Sequence, residues 1–222
     1  MYSLEKDAVL SGRKVAVLVE TEYIHDEIQK YYNFFTNLGA QVDFMTYLWG
    51  EEKRSVFCDK TKPDEDFYVL DVDKEIASCD PDDYDIILVA ANYVACRLRE
   101  IPPAGSIGST DLLTAPPAVQ FMIKAMKNKK IVKGALSHAL WLLTPTPELL
   151  KGREVICHTV VLADIYNAGA VFKPDPSHIV VDDDLVTGRS ATDLDEYCNA
   201  ILETFLSIQE NEANKQEDDH VK

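Results

Sequence analysis

A serine and a histidine stand side by side where a predicted strand gives way to a predicted helix. Ser137 and His138 follow the predicted strand KKIVKGAL at 129–136 and precede the apolar run ALWLL. A sharp turn of this kind exposes a nucleophile and presents backbone N–H groups to an oxyanion. A serine in this position is more often a helix N-cap, and no G-x-S-x-G motif surrounds it. The pair alone therefore leaves a nucleophile and a simple cap as alternatives.

The other side chains that could bind a metal or react lack the spacing that such chemistry needs. No C-x-x-C pair occurs, which favours free thiols over a disulfide framework or a zinc site. The aspartates at 182–184 are consecutive, so a hairpin turn is favoured over a calcium loop, and the acidic stretch 51–85 has no EF-hand spacing. We expect no metal site, and we expect Cys157 to be core. The five cysteines are Cys58, Cys79, Cys96, Cys157 and Cys198.

Alternating strand and helix patterns predict the elements that must position the Ser137 turn. An apolar, β-branched strand at 14–20 precedes a helix at 26–38, and a second strand follows at 40–48, which makes a βαβ unit. Buried strands are also predicted at 84–91 and 129–136. One α/β domain with a mostly parallel sheet follows, and such sheets bind ligands at the carboxyl ends of their strands.

The C-terminal third is predicted to hold short strands and a final helix. Strand-like runs occur at 154–161, 170–172 and 178–188, and Thr192 with Asp195 is typical of a capping box that begins a helix. The residues from 209 onward are polar and lack aromatic side chains, which predicts a disordered tail. The expected organisation is a single domain at 1–208 and a tail at 209–222.

Composition narrows the classes of partner. The 222 residues carry 22 lysines and arginines against 38 aspartates and glutamates, a formal net charge of −16, which disfavours nucleic-acid binding. Apolar residues make up 46% of the chain, enough for a sizeable core. No apolar run reaches the length of a membrane span, and Glu5, Lys6 and Asp7 do not fit a secretory signal. We therefore expect a cytoplasmic protein without membrane or nucleic-acid partners.

Four segments in collinear order resemble the ThiJ/PfpI superfamily of class I glutamine-amidotransferase-like proteins. VKGALSHALWLL with ELLKGREV resembles the family's AICHGPQLL and LKGR elbow, and YDIILVAANYVACRLR resembles its YDALVIPGG segment. DDDLVTGRSATDL resembles the family's final hairpin and helix, and YIHDEIQ resembles its FEDxE segment. The resemblance covers about residues 14–206 and implies a flavodoxin-like three-layer sandwich with helices on both faces of the sheet.

The resemblance assigns roles to individual positions. Glu27 matches the glutamate that contacts the family's nucleophile, Ser137 matches the nucleophilic cysteine, and His138 matches the histidine that follows it. His158 matches a pocket histidine of one branch. The resemblance also implies a homodimer or larger homo-oligomer and chemistry without an external cofactor.

Two departures from the family pattern affect the chemistry. Ser137 offers a hydroxyl, which needs a base during attack, and it cannot be oxidised as the family's thiol can. Ala90, Ala91 and Asn92 stand where the family has Pro-Gly-Gly and uses a glycine N–H in the oxyanion hole, although asparagine tolerates left-handed backbone better than most residues. A milder change places Ala139 where the pattern has glycine.

Two functions of different class remain. The first, which the two departures favour, is a divergent, non-catalytic member that keeps a small-molecule pocket at the elbow. The second is a cofactor-independent hydrolase, amidase, glyoxalase or deglycase acting on a carbonyl or amide compound. In that enzyme Ser137 attacks, His138 is the base, Glu27 orients, and N–H groups near Asn92 and Ala139 hold the oxyanion.

Overall fold

Short buried strands and amphipathic helices alternate along the chain, as the apolar periodicity predicts. The computed structural model describes residues 8–60, 64, 66–100 and 114–220, so most of the loop before the helix at 117 lies outside the described residues. The strands are β1 (Lys14–Leu18), β2 (Gln41–Thr46), β3 (Arg54–Phe57), β4 (Val69–Val72), β5 (Lys74–Glu75), β6 (Ile86–Val89), β7 (Val132–Leu136), β8 (Glu154–Val155), β9 (Val171–Phe172), β10 (Ile179–Asp182) and β11 (Leu185–Gly188). The α-helices are α1 (His25–Asn37), α2 (Val94–Arg97), α3 (Pro117–Ala125), α4 (Leu162–Asn167) and α5 (Leu194–His220).

Seven of the strands form one sheet in the order β10-β11-β7-β6-β1-β2-β5. Neighbouring strands are parallel, except that β10 and β11 are antiparallel. Parallel pairing requires helical crossovers, and α5 packs against α1, β7 and β11. The predicted α/β fold, a flavodoxin-like sandwich with a mostly parallel sheet, is confirmed. The turns that follow β1, β6 and β7 therefore meet at one edge of the sheet.

The central strands are buried along almost their whole length. Every residue of β6 and β7 is buried, as are the last four residues of β1. Helix α5 approaches β7 closely at Gly134, where an added Cβ would lie 2.6 Å from the hydroxyl oxygen of Tyr197 and 2.6 Å from a methyl carbon of Leu88. This tight packing makes the frame on which the turn after β7 is held.

The first helix follows its sequence pattern with one exchange of faces. Helix α1 ends before Gly39, whose φ of +90° suits the predicted position after a helix. Apolar residues at helical spacing predict a buried face that includes Ile28, Tyr32 and Phe35. Ile28 and Phe35 are buried, but Tyr32 is 49% exposed, whereas Glu27 is fully buried. The exchange places a carboxyl group inside the protein, next to the turn after β6.

Two predicted elements are shorter than expected, and one predicted helix cap is wrong. Residues 137–143 do not form an α-helix. The segment contains a single short 3-10 helix, at Ala139–Leu142. The strand predicted at 154–161 ends at Val155, and another 3-10 turn begins at Thr159. Thr192 does not cap α5: it lies in a 3-10 turn that is capped by the side chain of Ser190.

The C-terminal residues correct the prediction of a disordered tail. Helix α5 continues beyond Ile208 to His220. Arg13 Nη2 donates to Gln209 Oε1 at 3.0 Å, and Lys130 forms an ion pair with Glu212. Contacts with distant segments therefore stabilise a helix whose own sequence is polar. Within the described part of the chain, no helix is long and apolar enough to cross a membrane.

Candidate functional site

Ser137 occupies a strained turn directly after β7. Its φ is +59°, in the left-handed region that residues other than glycine rarely adopt. Two backbone hydrogen bonds hold it there: Ser137 N–H donates to Gly188 O at 2.7 Å, and Ser137 O accepts from His158 N–H at 3.2 Å. The side chain is buried, with 7% of the residue exposed. The sharp elbow predicted at this position is therefore present, although an α-helix does not follow it.

His138 lies against the serine hydroxyl. Ser137 Oγ and His138 Nδ1 are 3.0 Å apart, which is hydrogen-bond distance. Burial, with a smaller contribution from the neighbouring His158, lowers the pKa of His138 to about 4. The imidazole is therefore neutral at pH 7, and Nδ1 can accept the hydroxyl hydrogen in the tautomer that carries its proton on Nε2. Within the described residues, no carboxylate bonds to His138 to orient it.

Aromatic rings surround the His138 imidazole. The ring of His158 stacks on it with centroids 4.7 Å apart, and the rings of Trp141 and Tyr93 lie at 5.2 and 5.6 Å. Trp141 Nε1 donates to Asp164 Oδ2 at 2.7 Å, which fixes the indole. Sequence reasoning missed Tyr93, although its position just after Asn92 at the end of β6 was a usable signal.

Glu27 lies beneath the neighbouring turn. Both carboxylate oxygens accept from Ala91 N–H, at 2.9 and 3.0 Å. Burial raises the pKa of Glu27 to about 8, and the bond from Ala91 opposes that rise only in part. Within the described residues, Glu27 makes no hydrogen bond to Ser137 Oγ. The carboxyl group thus holds the turn after β6, and the structure places it against Ala91.

Asn92 replaces a glycine of the family pattern at a turn that requires left-handed backbone. Its φ is +61°, and its side-chain Nδ2 donates to Glu22 O at 2.9 Å and to Asp59 Oδ2 at 2.8 Å. Asparagine adopts this conformation more readily than most residues. The backbone N–H groups of Asn92 and Ala139 have no hydrogen-bond partner in the described part of the chain. Two donors are therefore free at the turns that flank Ser137.

The cysteines and the aspartates at 182–184, which the sequence does not assign to catalysis, make no hydrogen bond to the Ser137 hydroxyl within the described residues. All five cysteines are free, and burial raises the pKa of the Cys157 thiol to about 11. The aspartates at 182–184 turn between β10 and β11, and Asp183 has a φ of +56°. Among residues 8–60, 66–100 and 114–220, no group of three or more His, Cys, Asp or Glu side chains is arranged to hold a metal ion.

Comparison with known proteins agrees with this geometry. A model of the DJ-1/PfpI family matches residues 13–204. A Bacillus subtilis (strain 168) protein named "Putative cysteine protease YraA" is 26% identical over 186 residues, 84% of this chain and 94% of that protein. Schizosaccharomyces pombe DJ-1 superposes with a TM-score of 0.66 at 14% identity, over 89% of this chain and 97% of that one. A two-domain Anabaena variabilis protein with DJ-1/ThiJ/PfpI-like and ferritin-like domains gives 0.70 at 20% identity, over 86% of this chain but only 47% of its own. The chain belongs to the DJ-1/PfpI family.

Proposed function

We propose that this chain is a divergent DJ-1/PfpI protein that binds a small carbonyl or amide compound at the Ser137 elbow without converting it. The observation that carries the proposal is the contrast between a retained elbow and weak activating groups. Ser137 keeps its left-handed backbone, with φ at +59°, while the pKa of the adjacent His138 is lowered to about 4. The turn is therefore built to present donors and a hydroxyl rather than to generate an alkoxide.

The weakness of the base follows from acid–base catalysis. A general base works best when its pKa is near the operating pH, and an imidazole with a pKa of about 4 gains little by taking a serine proton at pH 7. A serine nucleophile also needs its base to be oriented by a third group. Glu27 does not orient His138, because the hydrogen bonds of its carboxyl group within the described residues come from Ala91 N–H.

The ligand class follows from the donors that are left free. The N–H groups of Asn92 and Ala139 have no partner among the described residues and can donate to a carbonyl oxygen, and the Ser137 hydroxyl can donate or accept. Tyr93 and Trp141 add flat apolar surface beside His138. A small compound with a carbonyl or amide group satisfies these donors and needs no external cofactor.

The enzyme interpretation is favoured by one specific contact. The 3.0 Å distance between Ser137 Oγ and His138 Nδ1 is the geometry of a nucleophile and its base. On this second proposal the chain is a hydrolase, amidase, glyoxalase or deglycase in which Ser137 attacks and His138 takes the proton. The name of the Bacillus subtilis relative specifies a cysteine nucleophile, whereas position 137 carries a serine.

Activity and binding assays on three forms of the protein separate these proposals. The wild-type chain, Ser137→Ala and Ser137→Cys are each incubated with methylglyoxal and with generic amide and ester substrates. We expect wild type and Ser137→Ala to share one background rate, while methylglyoxal and simple amides perturb the NMR signals of His138 and Asn92. A wild-type rate well above that of Ser137→Ala would establish the enzyme instead. Activity gained only by Ser137→Cys would support a binding protein on an intact catalytic scaffold.

We further propose that the chain forms a homodimer or larger homo-oligomer and works in the cytoplasm. The support for the assembly is family membership, and the support for the compartment is five free thiols, which suit a reducing environment. Light scattering coupled to size-exclusion chromatography measures the mass of the assembly directly. A monomer mass of 24.9 kDa at all concentrations would contradict the first part.

A further inference from the structure

A lysine-rich groove lies at the opposite edge of the sheet from Ser137. The groove has a volume of about 710 Å³ and is formed by the turn before β7, the hairpin between β10 and β11, and the outer part of α5. Ser137 follows the carboxyl end of β7, so the five residues of that strand separate the two places by roughly 16 Å. The groove is therefore distinct from the elbow.

Positive charge concentrates in this groove although the protein as a whole is acidic. Three carboxylates line it, from Asp82, Asp183 and Glu212. Five ammonium groups line it as well, from Lys124, Lys127, Lys129, Lys130 and Lys215. The lining thus carries 5 − 3 = +2 on a chain whose formal net charge is −16, while Asp80 and Asp184, outside the lining, pair with Lys124 and Lys129. The five lysines are exposed, and Lys129 among them also contacts a buried carboxylate, that of Asp184.

The carboxylates of the groove are held by exposed ion pairs that exchange easily. Lys129 Nζ lies 3.1 Å from Asp183 Oδ2, and Lys130 pairs with Glu212. Exposed pairs of this kind contribute only about 0–1 kcal/mol each, so a ligand that carries several negative charges can replace them at small cost. Lys127 has no ion-pair partner in the described part of the chain, and its ammonium group is free to bind.

We propose that this groove binds a small oligophosphate, a compound with two or more linked phosphate groups. Lysines bind phosphate as point charges, and five of them line the groove, so linked phosphate groups can contact several ammonium groups at once. The volume suits an oligophosphate with or without an organic group, and it exceeds what one phosphate fills. The apolar side chain of Ile208 also lines the groove and offers a surface for such a group.

Calorimetric titration of the full chain with inorganic triphosphate at low ionic strength tests the proposal. We expect saturable binding that weakens as salt is added, because salt screens exposed charges. Lys127→Gln and Lys130→Gln should each weaken binding about two- to fivefold, and Glu212→Gln should strengthen it by a similar factor, since each change removes one exposed charge interaction. A nucleoside triphosphate titrated in parallel reports whether the organic group adds affinity.

The chain offers a matched control pair outside the groove. Lys173 and Glu154 form an exposed ion pair at 2.9 Å, so Lys173→Gln and Glu154→Gln make the same charge changes elsewhere. The proposal holds if the groove variants change the affinity for triphosphate and the control variants leave it within error. It is overturned if triphosphate gives no saturable heat, or if groove and control variants shift the affinity equally, which would reflect net charge alone.

Discussion

Ser137 carries a backbone conformation that serine tolerates poorly. At a φ of +59°, a side chain with a Cβ costs about 1–2 kcal/mol relative to glycine. We expect Ser137→Gly to be more stable than Ser137→Ala by about 1 kcal/mol, a comparison in which both variants lack the hydroxyl. Urea unfolding measures the difference.

A helical serine supplies the control for that comparison. Ser207 lies inside α5, where alanine is more stable than glycine by about 1 kcal/mol, so Ser207→Ala and Ser207→Gly should show the opposite order. If the order at position 137 matches the order at position 207, the strained elbow does not exist in solution. The expected order would show that the chain keeps serine there at a cost in stability.

The positions of single site residues could be predicted from the sequence where adjacency in the chain determines them. Ser137 and His138 are neighbours in the chain, so a strand ending at Leu136 is enough to place both at a turn. Tyr93 reaches His138 only because β6 and β7 are paired, and Glu27 reaches Ala91 only because α1 packs onto the sheet at β2. Those contacts depend on the assembled sheet, which periodicity alone does not describe.

Among the elements, the hairpin of β10 and β11 contains a buried charge network. Asp184 is fully buried and accepts from Lys133, Lys129 and Arg153. Burial acts against ionisation, yet the ammonium group of Lys133 holds the pKa of Asp184 below its ordinary value. Lys133 is itself fully buried within β7. The hairpin is thus tied to the central sheet by an ion pair inside the protein.

We expect Asp184→Asn to lower the free energy of unfolding by about 3–5 kcal/mol, because it leaves the Lys133 charge buried without a partner. Asp183→Asn is the matched control. Asp183 is exposed, its one ion pair within the described residues is with Lys129, and its φ of +56° is one that asparagine tolerates, so the cost should stay within about 0.5 kcal/mol. Equal effects of the two substitutions in urea unfolding would show that the buried pair does not stabilise the hairpin.

Elements were predicted well where apolar periodicity is strong and poorly where distant contacts decide their length. The buried strands β1, β6 and β7 lie within the predicted segments. The predicted helix after Ser137 contracts to a 3-10 turn. Conversely, α5 extends through a polar segment because Arg13 and Lys130 bind it. Periodicity shows which face of an element is apolar, but not which other element that face packs against.

For the whole molecule, the pH dependence of stability includes contributions from two buried groups whose pKa values shift in opposite directions on folding. The pKa of Glu27 rises from 4.5 to about 8 on folding, so the native state binds the extra proton and this group's contribution to stability is lost as pH rises from about 4.5 to 8. The pKa of His138 falls from 6.5 to about 4, so the unfolded state binds the extra proton and this contribution is lost as pH falls from 6.5 to 4.

The two contributions offset each other between about pH 4.5 and 6.5, and single substitutions should uncover each of them. Glu27→Gln keeps an oxygen acceptor for Ala91 N–H and removes the titration, so its stability relative to wild type should increase as pH rises from 4.5 to 8. His138→Gln should gain relative to wild type as pH falls from 6.5 to 4. Urea midpoints of the three proteins across this range give the differences, in which every unchanged group cancels. A difference that stays constant with pH would mean that the substituted group titrates alike in the folded and unfolded chain. For His138→Gln, that outcome would remove the support for a neutral imidazole beside Ser137.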